Sequence, residues 1–336
     1  MKFRHVTPAW NNFLNCLERS WVHQIYKRCA IGYHAFKMSS IPIPVRLPDG
    51  KEFDVFTEAH PRFMAALDQI AAGYTDLFTA IEDLEGSEER RVNYLLLGAS
   101  YTEFEETLVL AVNGYGSGAT KLLRGLYERT VTVQYLMKHP NKVQQFIDYT
   151  KVHWKKLLIE GDTNGIGNHL SENRRKEIEA EFAEVEKQFT ETVCKCGKTR
   201  LQGSWTKKPV PSQARELSEM LGTLCFQGYL IPTFFLHTTF WGVTQQLRDI
   251  GNGKRKLHDI ESERHFAARA IVIAVNLMGH LAYSASDYFQ LNAKDNCDRI
   301  MDAVNTIGKE LLVDAERDTS GDDQPAEPPP EAVNPA

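Results

Sequence analysis

The sequence has little cysteine: six in 336 residues, at Cys16, Cys29, Cys194, Cys196, Cys225 and Cys297. A chain this long needs no disulfide staples, and so thin a scatter excludes the framework of a small secreted scaffold. Reduced thiols in a cytoplasmic protein are the expectation. A large excess of one charge is also missing. Lys and Arg total 39 against 44 Asp and Glu, a formal net charge of −5, which argues against a bulk nucleic-acid binder and leaves room only for a local basic patch. The first 37 residues have no apolar core of a secretory signal, because Asn11, Asn12, Asn15 and Glu18 interrupt every candidate. There is no internal repeat of the kind that builds solenoids. No stretch reads as a cofactor fingerprint, so no cofactor is expected.

What is present is an ordinary globular balance, 42% hydrophobic and 25% charged. Residues 1–37 stand apart: Lys2, Arg4, Arg19, Lys27, Arg28 and Lys37 face a single acid, Glu18. They read as a dispensable basic extension, with Met38-Ser39-Ser40 as an alternative start. Residues 38–58, with Pro42, Pro44 and the Pro48-Asp49-Gly50 turn, read as an extended arm. Residues 59–316 read as a single helical domain. Residues 317–336 carry Pro328-Pro329-Pro330 and no aromatic, so they read as a disordered acidic tail.

Inside the domain the apolar residues step by three or four. Phe63, Leu67, Ile70, Tyr74, Leu77, Phe78 and Ile81 form one core-facing stripe. Ser87 ahead of Glu88 and Glu89 opens a helix that ends at Asn113-Gly114, and His139-Pro140 stops the next, about Ser117 to Lys138. Further helices are expected at about 141–160, 171–193, 214–247, 260–290 and 295–314, with an irregular basic segment from Cys194 to Pro211. The fold class is therefore all-α, a helix bundle around a long central helix, Ser117–Lys138.

Between Glu219 and Arg248 there is no charged residue, which is long enough to span a bilayer. Gln227, Pro232, His237, Thr233, Thr238, Thr239 and Thr244 interrupt it, and Asn276 and His280 interrupt the second apolar stretch, so buried core helices are the better reading and a membrane association the lesser one.

Few residues carry chemistry. Gly114, Gly116 and Gly118 before Lys121 imitate a phosphate loop, but Thr120 stands where a Walker glycine belongs and Leu122 where Ser or Thr belongs. Cys194 and Cys196 look like half a zinc knuckle with no second pair at a suitable spacing, so no metal is expected and a thiol loop is favoured. On the central helix, Ala119, Leu122, Leu123, Leu126, Thr130, Val133 and Met137 share one face, while Ser117, Arg124, Glu128, Val131 and Tyr135 share the other. A solvated face would carry more Lys and Glu, so this second face is expected to be covered. Arg124 and Glu128 then form an i, i+4 pair that either locks helix register or lines a polar pocket. His237, in an apolar stretch, reads first as a hydrogen-bonded core histidine and second as the best candidate for acid–base work.

Asn113-Gly114-Tyr115 and the following Leu122-Leu123-Arg124-Gly125-Leu126-Tyr127-Glu128 resemble the core of a bacterial family, domain of unknown function 5677. The resemblance continues through Tyr135-Leu136, Pro140 and Gln145-Phe146-Ile147-Asp148-Tyr149. It returns at Trp205, Ala214 and Tyr229 and ends at His237, covering about Tyr94 to Trp241. Thr233-Phe234-Phe235-Leu236, where relatives often place a Ser, and the Cys194–Lys198 segment depart from the pattern. The resemblance implies a helical fold grouped loosely with HEPN-like domains, some of which act in stress, toxin–antitoxin or phage-defence settings, and it implies no established activity. HEPN-type ribonucleases use an Arg with a His five to seven positions later, and here only Arg28…His34 has that spacing, in the N-terminal extension.

Two functions follow as expectations. One is an interaction module whose partner is a second copy of the chain or another protein. The other is a HEPN-like ribonuclease or nucleotide-binding enzyme, with Arg124, Glu128 and His237 at its centre and Asp148, Tyr149, Trp205 and Tyr229 around them. Whether these residues converge decides between the two.

Overall fold

The computed structural model describes residues 50–82, 86–165, 170–194, 196–237, 239, 247–249, 255–257 and 264–316. The basic extension with Arg28 and His34, the alternative start, the Pro-rich part of the arm, the Gly251–Gly253 turn and the acidic tail lie outside these residues.

The described chain is a mostly helical bundle. Its helices are α1 (Lys51–Ala59), α2 (Phe63–Glu82), α3 (Glu88–Val112), α4 (Gly116–Lys138), α5 (Val143–Thr163), α6 (Glu172–Phe189), α7 (Val210–Leu217), α8 (Glu219–Cys225), α9 (Ile231–Leu236), α10 (Arg264–Phe289) and α11 (Lys294–Glu316). A π-helical turn, Phe226–Leu230, joins α8 to α9. Strands β1 (Thr190–Thr192) and β2 (Thr199–Leu201) form one antiparallel hairpin, and β3 (Leu247–Asp249) and β4 (Arg255–Leu257) form another.

Local chemistry sets the helix ends. The Ser87 side chain accepts from the Arg90 backbone N–H at the start of α3, where Glu88 and Glu89 complement the helix dipole. Gly114, at φ 81°, makes the tight joint between α3 and α4 that its sequence suggests. The phosphate-loop imitation is thus a helix connection.

The core forms around α4 and α10. α10 packs on α3, α4 and α11, and α11 packs on α2. Ile271, Ala274, Val275, Leu277, Met278, Leu281 and Ala282 of α10 have no exposed surface. α10 is long and apolar enough to cross a membrane, and 72% of its apolar window is buried inside the bundle, so core packing accounts for its hydropathy. Both faces of α4 are covered: Leu123 and Leu126 on one side, Val131 and Tyr135 on the other, are all buried. A second, smaller cluster lies beneath α5 and α6, built from Leu136, Val143, Tyr149, Val152, Phe182, Phe189 and Trp205.

Five expectations need correction. The arm does not stay extended to residue 58, because Gly50, at φ 93°, turns the chain and Glu52 and Asp54 in the first turn favour helix α1. The highly charged helix ends at Phe189 rather than 193, since Thr190 and Thr192 enter the β1–β2 hairpin. The Cys194–Pro211 segment therefore contains a strand. At its tip Cys194 and Cys196 are joined in a disulfide with Cα atoms 5.2 Å apart, inside the bridging range, so they are neither free thiols nor available metal ligands. Finally, one helix over 214–247 does not form. Ser218 is extended and its side chain caps α8 by accepting from the Leu221 N–H, and the run closes at His237.

Candidate functional site

The π turn is the structural origin of the site. Pro232 has no N–H to donate, and its ring crowds the carbonyl four residues back, so a regular α-turn cannot run through it. The backbone widens instead, and the Ile231 N–H reaches the Phe226 carbonyl, an i to i+5 bond. Gly228 lets this turn press against α4, where an added Cβ would sit 3.0 Å from the Tyr127 ring. The Tyr127 hydroxyl donates to the Leu221 carbonyl at 2.6 Å and fixes α8 to α4. As a result Tyr229 faces Arg124, whose guanidinium carbon lies 5.0 Å from the tyrosine ring centroid.

α9 ends at His237, whose backbone N–H donates to the Thr233 carbonyl at 3.0 Å. The imidazole is exposed at the lip of a groove and not held in the core, so the first reading of His237 is overturned. Arg124 Nη1 lies 2.8 Å from His237 Nε2. A guanidinium can only donate, so in this contact Nε2 is the accepting nitrogen. On its other edge Arg124 donates from Nε and Nη2 to a single oxygen, Glu128 Oε1, at 3.2 and 3.1 Å. The Arg124 and Glu128 side chains are 19% and 39% exposed, so the pair is partly buried and partly open to water.

The groove runs over α4 and holds about 300 Å³. Its floor is Lys121, Leu122, Arg124, Gly125 and Glu128, one wall is Leu236 and His237, and the other is Glu103 of α3. Gly125 leaves the floor bare, and a Cβ there would collide with Glu103 Oε1. Arg129 Nε, from the next turn, donates to Glu103 Oε2 at 2.8 Å and holds the carboxylate in place. Glu103 carries no motif in the sequence, and Gly125, although inside the Leu122–Glu128 stretch, signals only as an isolated glycine in a helical pattern.

The other expected pocket residues do not come here. Tyr149 is buried in the second cluster and donates to the Gln202 carbonyl at 2.7 Å. Trp205 is buried beside Tyr135, with ring centroids 5.9 Å apart, and Asp148 pairs with Gln144 and Lys151. These three support the α5–α6 layer, so of the seven expected residues Arg124, Glu128, Tyr229 and His237 converge. Among the described residues no group of three or more His, Cys, Asp or Glu could hold a metal ion.

The groove lies within a stretch that matches a family model. Residues 91–251 match the model described as Family of unknown function (DUF5677). No curated protein and no solved structure matches the chain. The matched stretch runs from α3 to β3 and so contains every residue of the groove, while α10 and α11, which complete the core, follow it.

Proposed function

We propose that the groove binds an RNA phosphodiester and cleaves it by transesterification. The observation that carries this reading is the 2.8 Å contact between Arg124 Nη1 and His237 Nε2, with Lys121 one turn away on the same floor. A phosphate entering the groove is a stronger acceptor for Arg124 than an imidazole nitrogen, and it takes over the Nη1 donor. That frees the Nε2 lone pair beside the phosphate. His237 then removes the proton of the ribose 2′-hydroxyl, the 2′-oxygen attacks phosphorus, and the bond to the 5′-oxygen breaks. Arg124 and Lys121 stabilise the charge that gathers on the non-bridging oxygens, and water at the open mouth protonates the leaving oxygen. The products are a 2′,3′-cyclic phosphate and a 5′-hydroxyl. Glu128 and the Tyr229 ring are positioning residues that hold the guanidinium. The negative net charge of the whole chain does not oppose this reading, because two cations on one groove floor suffice for one phosphate.

The test is incubation of the protein with single-stranded RNA. Cleavage should leave cyclic phosphate ends, stop when the 2′-hydroxyl at the cut is absent, and fall by about 100-fold or more in His237→Ala and Arg124→Ala. RNA left intact by the folded wild-type protein, or cut equally well by His237→Ala, contradicts the reading.

A second reading, an interaction module, rests on a different observation. Phe226, Leu230 and Leu236 are 57%, 42% and 49% exposed beside the groove, an apolar surface of the kind that docks partners. Replacing Phe226 and Leu230 with Ser should leave RNA cleavage intact if catalysis is the function, and abolish the cellular phenotype if docking is.

A further inference from the structure

Glu103 is unused by the cleavage chemistry, yet its position is built. Its carboxylate lies against the bare backbone of Gly125, opposite the wall that carries His237, and Arg129 engages only Oε2. Among the described residues no hydrogen-bond donor reaches Oε1, which lies over Gly125 at the edge of the groove. The groove therefore carries both signs: Lys121 and Arg124, the latter paired with Glu128, take an anion on the floor, and Glu103 on the wall takes hydrogen-bond donors. Leu122 and Leu236 supply apolar surface between them. A ligand matched to this arrangement carries a phosphate and, a few ångströms away, a flat apolar ring with adjacent N–H groups at its edge.

We propose that the groove selects guanine, with Glu103 as the residue that reads the base; this rests on the nucleotide reading above. The argument is one of donor count. The Watson–Crick edge of guanine offers N1–H and N2–H side by side, one for Glu103 Oε1 and one for the Oε2 lone pair that Arg129 leaves open. Adenine and cytosine offer one amino group next to a ring nitrogen whose lone pair faces the carboxylate and is repelled. Uracil offers one N–H between two carbonyl oxygens. Each alternative thus loses one donor and gains a repulsion, the kind of mismatch by which a buried polar group rejects the wrong ligand. Gly125 is part of the same device, since any side chain there displaces the reading carboxylate.

The experiment is calorimetric titration of the full-length protein with GMP, IMP and AMP. GMP should bind at least about tenfold more tightly than AMP, or about 1.4 kcal/mol, with IMP, which keeps N1–H and lacks the 2-amino group, between them. Glu103→Gln should bring GMP down to the AMP level and leave AMP unchanged, which a loss of folding through Arg129 would not do. The wild-type comparison needs no variant and stands if Glu103→Gln fails to fold. Equal affinity for GMP and AMP, or a preference that survives in Glu103→Gln, overturns the proposal, as does the absence of binding by all three. RNA cleavage without a GMP preference would overturn base reading alone. A GMP preference without cleavage would overturn the cleavage chemistry and leave base reading intact.

Discussion

At the scale of single residues, the carboxylates of α3 show how position sets behaviour. Glu103 pairs with Arg129, whereas Glu105, two residues on, is partly buried with no ion pair among the described residues, and burial followed by the charge of Glu106 pushes its pKa up to about 7 from an ordinary 4.5. The sign of the effect on stability follows. Below pH 4.5 both folded and unfolded chains hold the proton, and the group is neutral in the balance. As pH rises from 4.5 to 7 the unfolded chain ionises first, so stability falls, and above 7 the full penalty applies. Glu105→Gln should therefore raise stability at pH 8 by on the order of 2 kcal/mol and change it little at pH 4. Chemical denaturation at the two pH values checks this, and a gain of equal size at both would point to a packing effect. Gly125 makes the second residue-scale prediction. Gly125→Ala should displace Glu103 and weaken the Arg129 pair, costing about 1–3 kcal/mol despite the better helix propensity of alanine. A stabilised Gly125→Ala protein would mean that Glu103 does not lie against the helix backbone.

At the scale of elements, the helices with strong periodicity and clear caps were legible: α2, α3, α4, α10 and α11 fall within a few residues of where the sequence puts them. The covered second face of α4 was legible too, because Val131 and Tyr135 sit where a solvated face would carry charge. The failures share a cause. From Met220 to Leu247 the chain carries no charged residue, so periodicity could not show that Pro232 widens the turn before it, and the Ser218-Glu219 cap at the start of α8 went unread. The β1–β2 hairpin has three residues per strand, too short for an alternation to register. The i, i+4 pairing of Arg124 with Glu128 is a local fact and could be read, whereas their meeting with His237 depends on the π turn. Pro232→Ala tests that dependence. Restoring a regular α-turn should leave the melting temperature within a few degrees, yet move Tyr229 relative to Arg124 and lower RNA cleavage by about tenfold or more. Full activity in a well-folded Pro232→Ala protein would remove the π turn from the account.

At the scale of the whole molecule, the fold separates support from function. α10 and the α5–α6 layer provide buried mass, and the groove occupies the outer side of α4 beneath the π turn. Truncation in the core should be costly: Leu277→Ala, at a site with no exposed surface, should lose about 2–5 kcal/mol. Phe226→Ala, more than half exposed, should cost little. The central claim is that Arg124 and His237, 113 residues apart in sequence, work as one unit. The measurement that tests it most directly is a double-mutant cycle on RNA cleavage with Arg124→Ala, His237→Ala and the two combined. Residues that act together lose their effect together, so the double variant should be no slower than the worse single within about threefold. Losses that multiply would mean that the two side chains act independently, and the contact between them would then be an accident of packing.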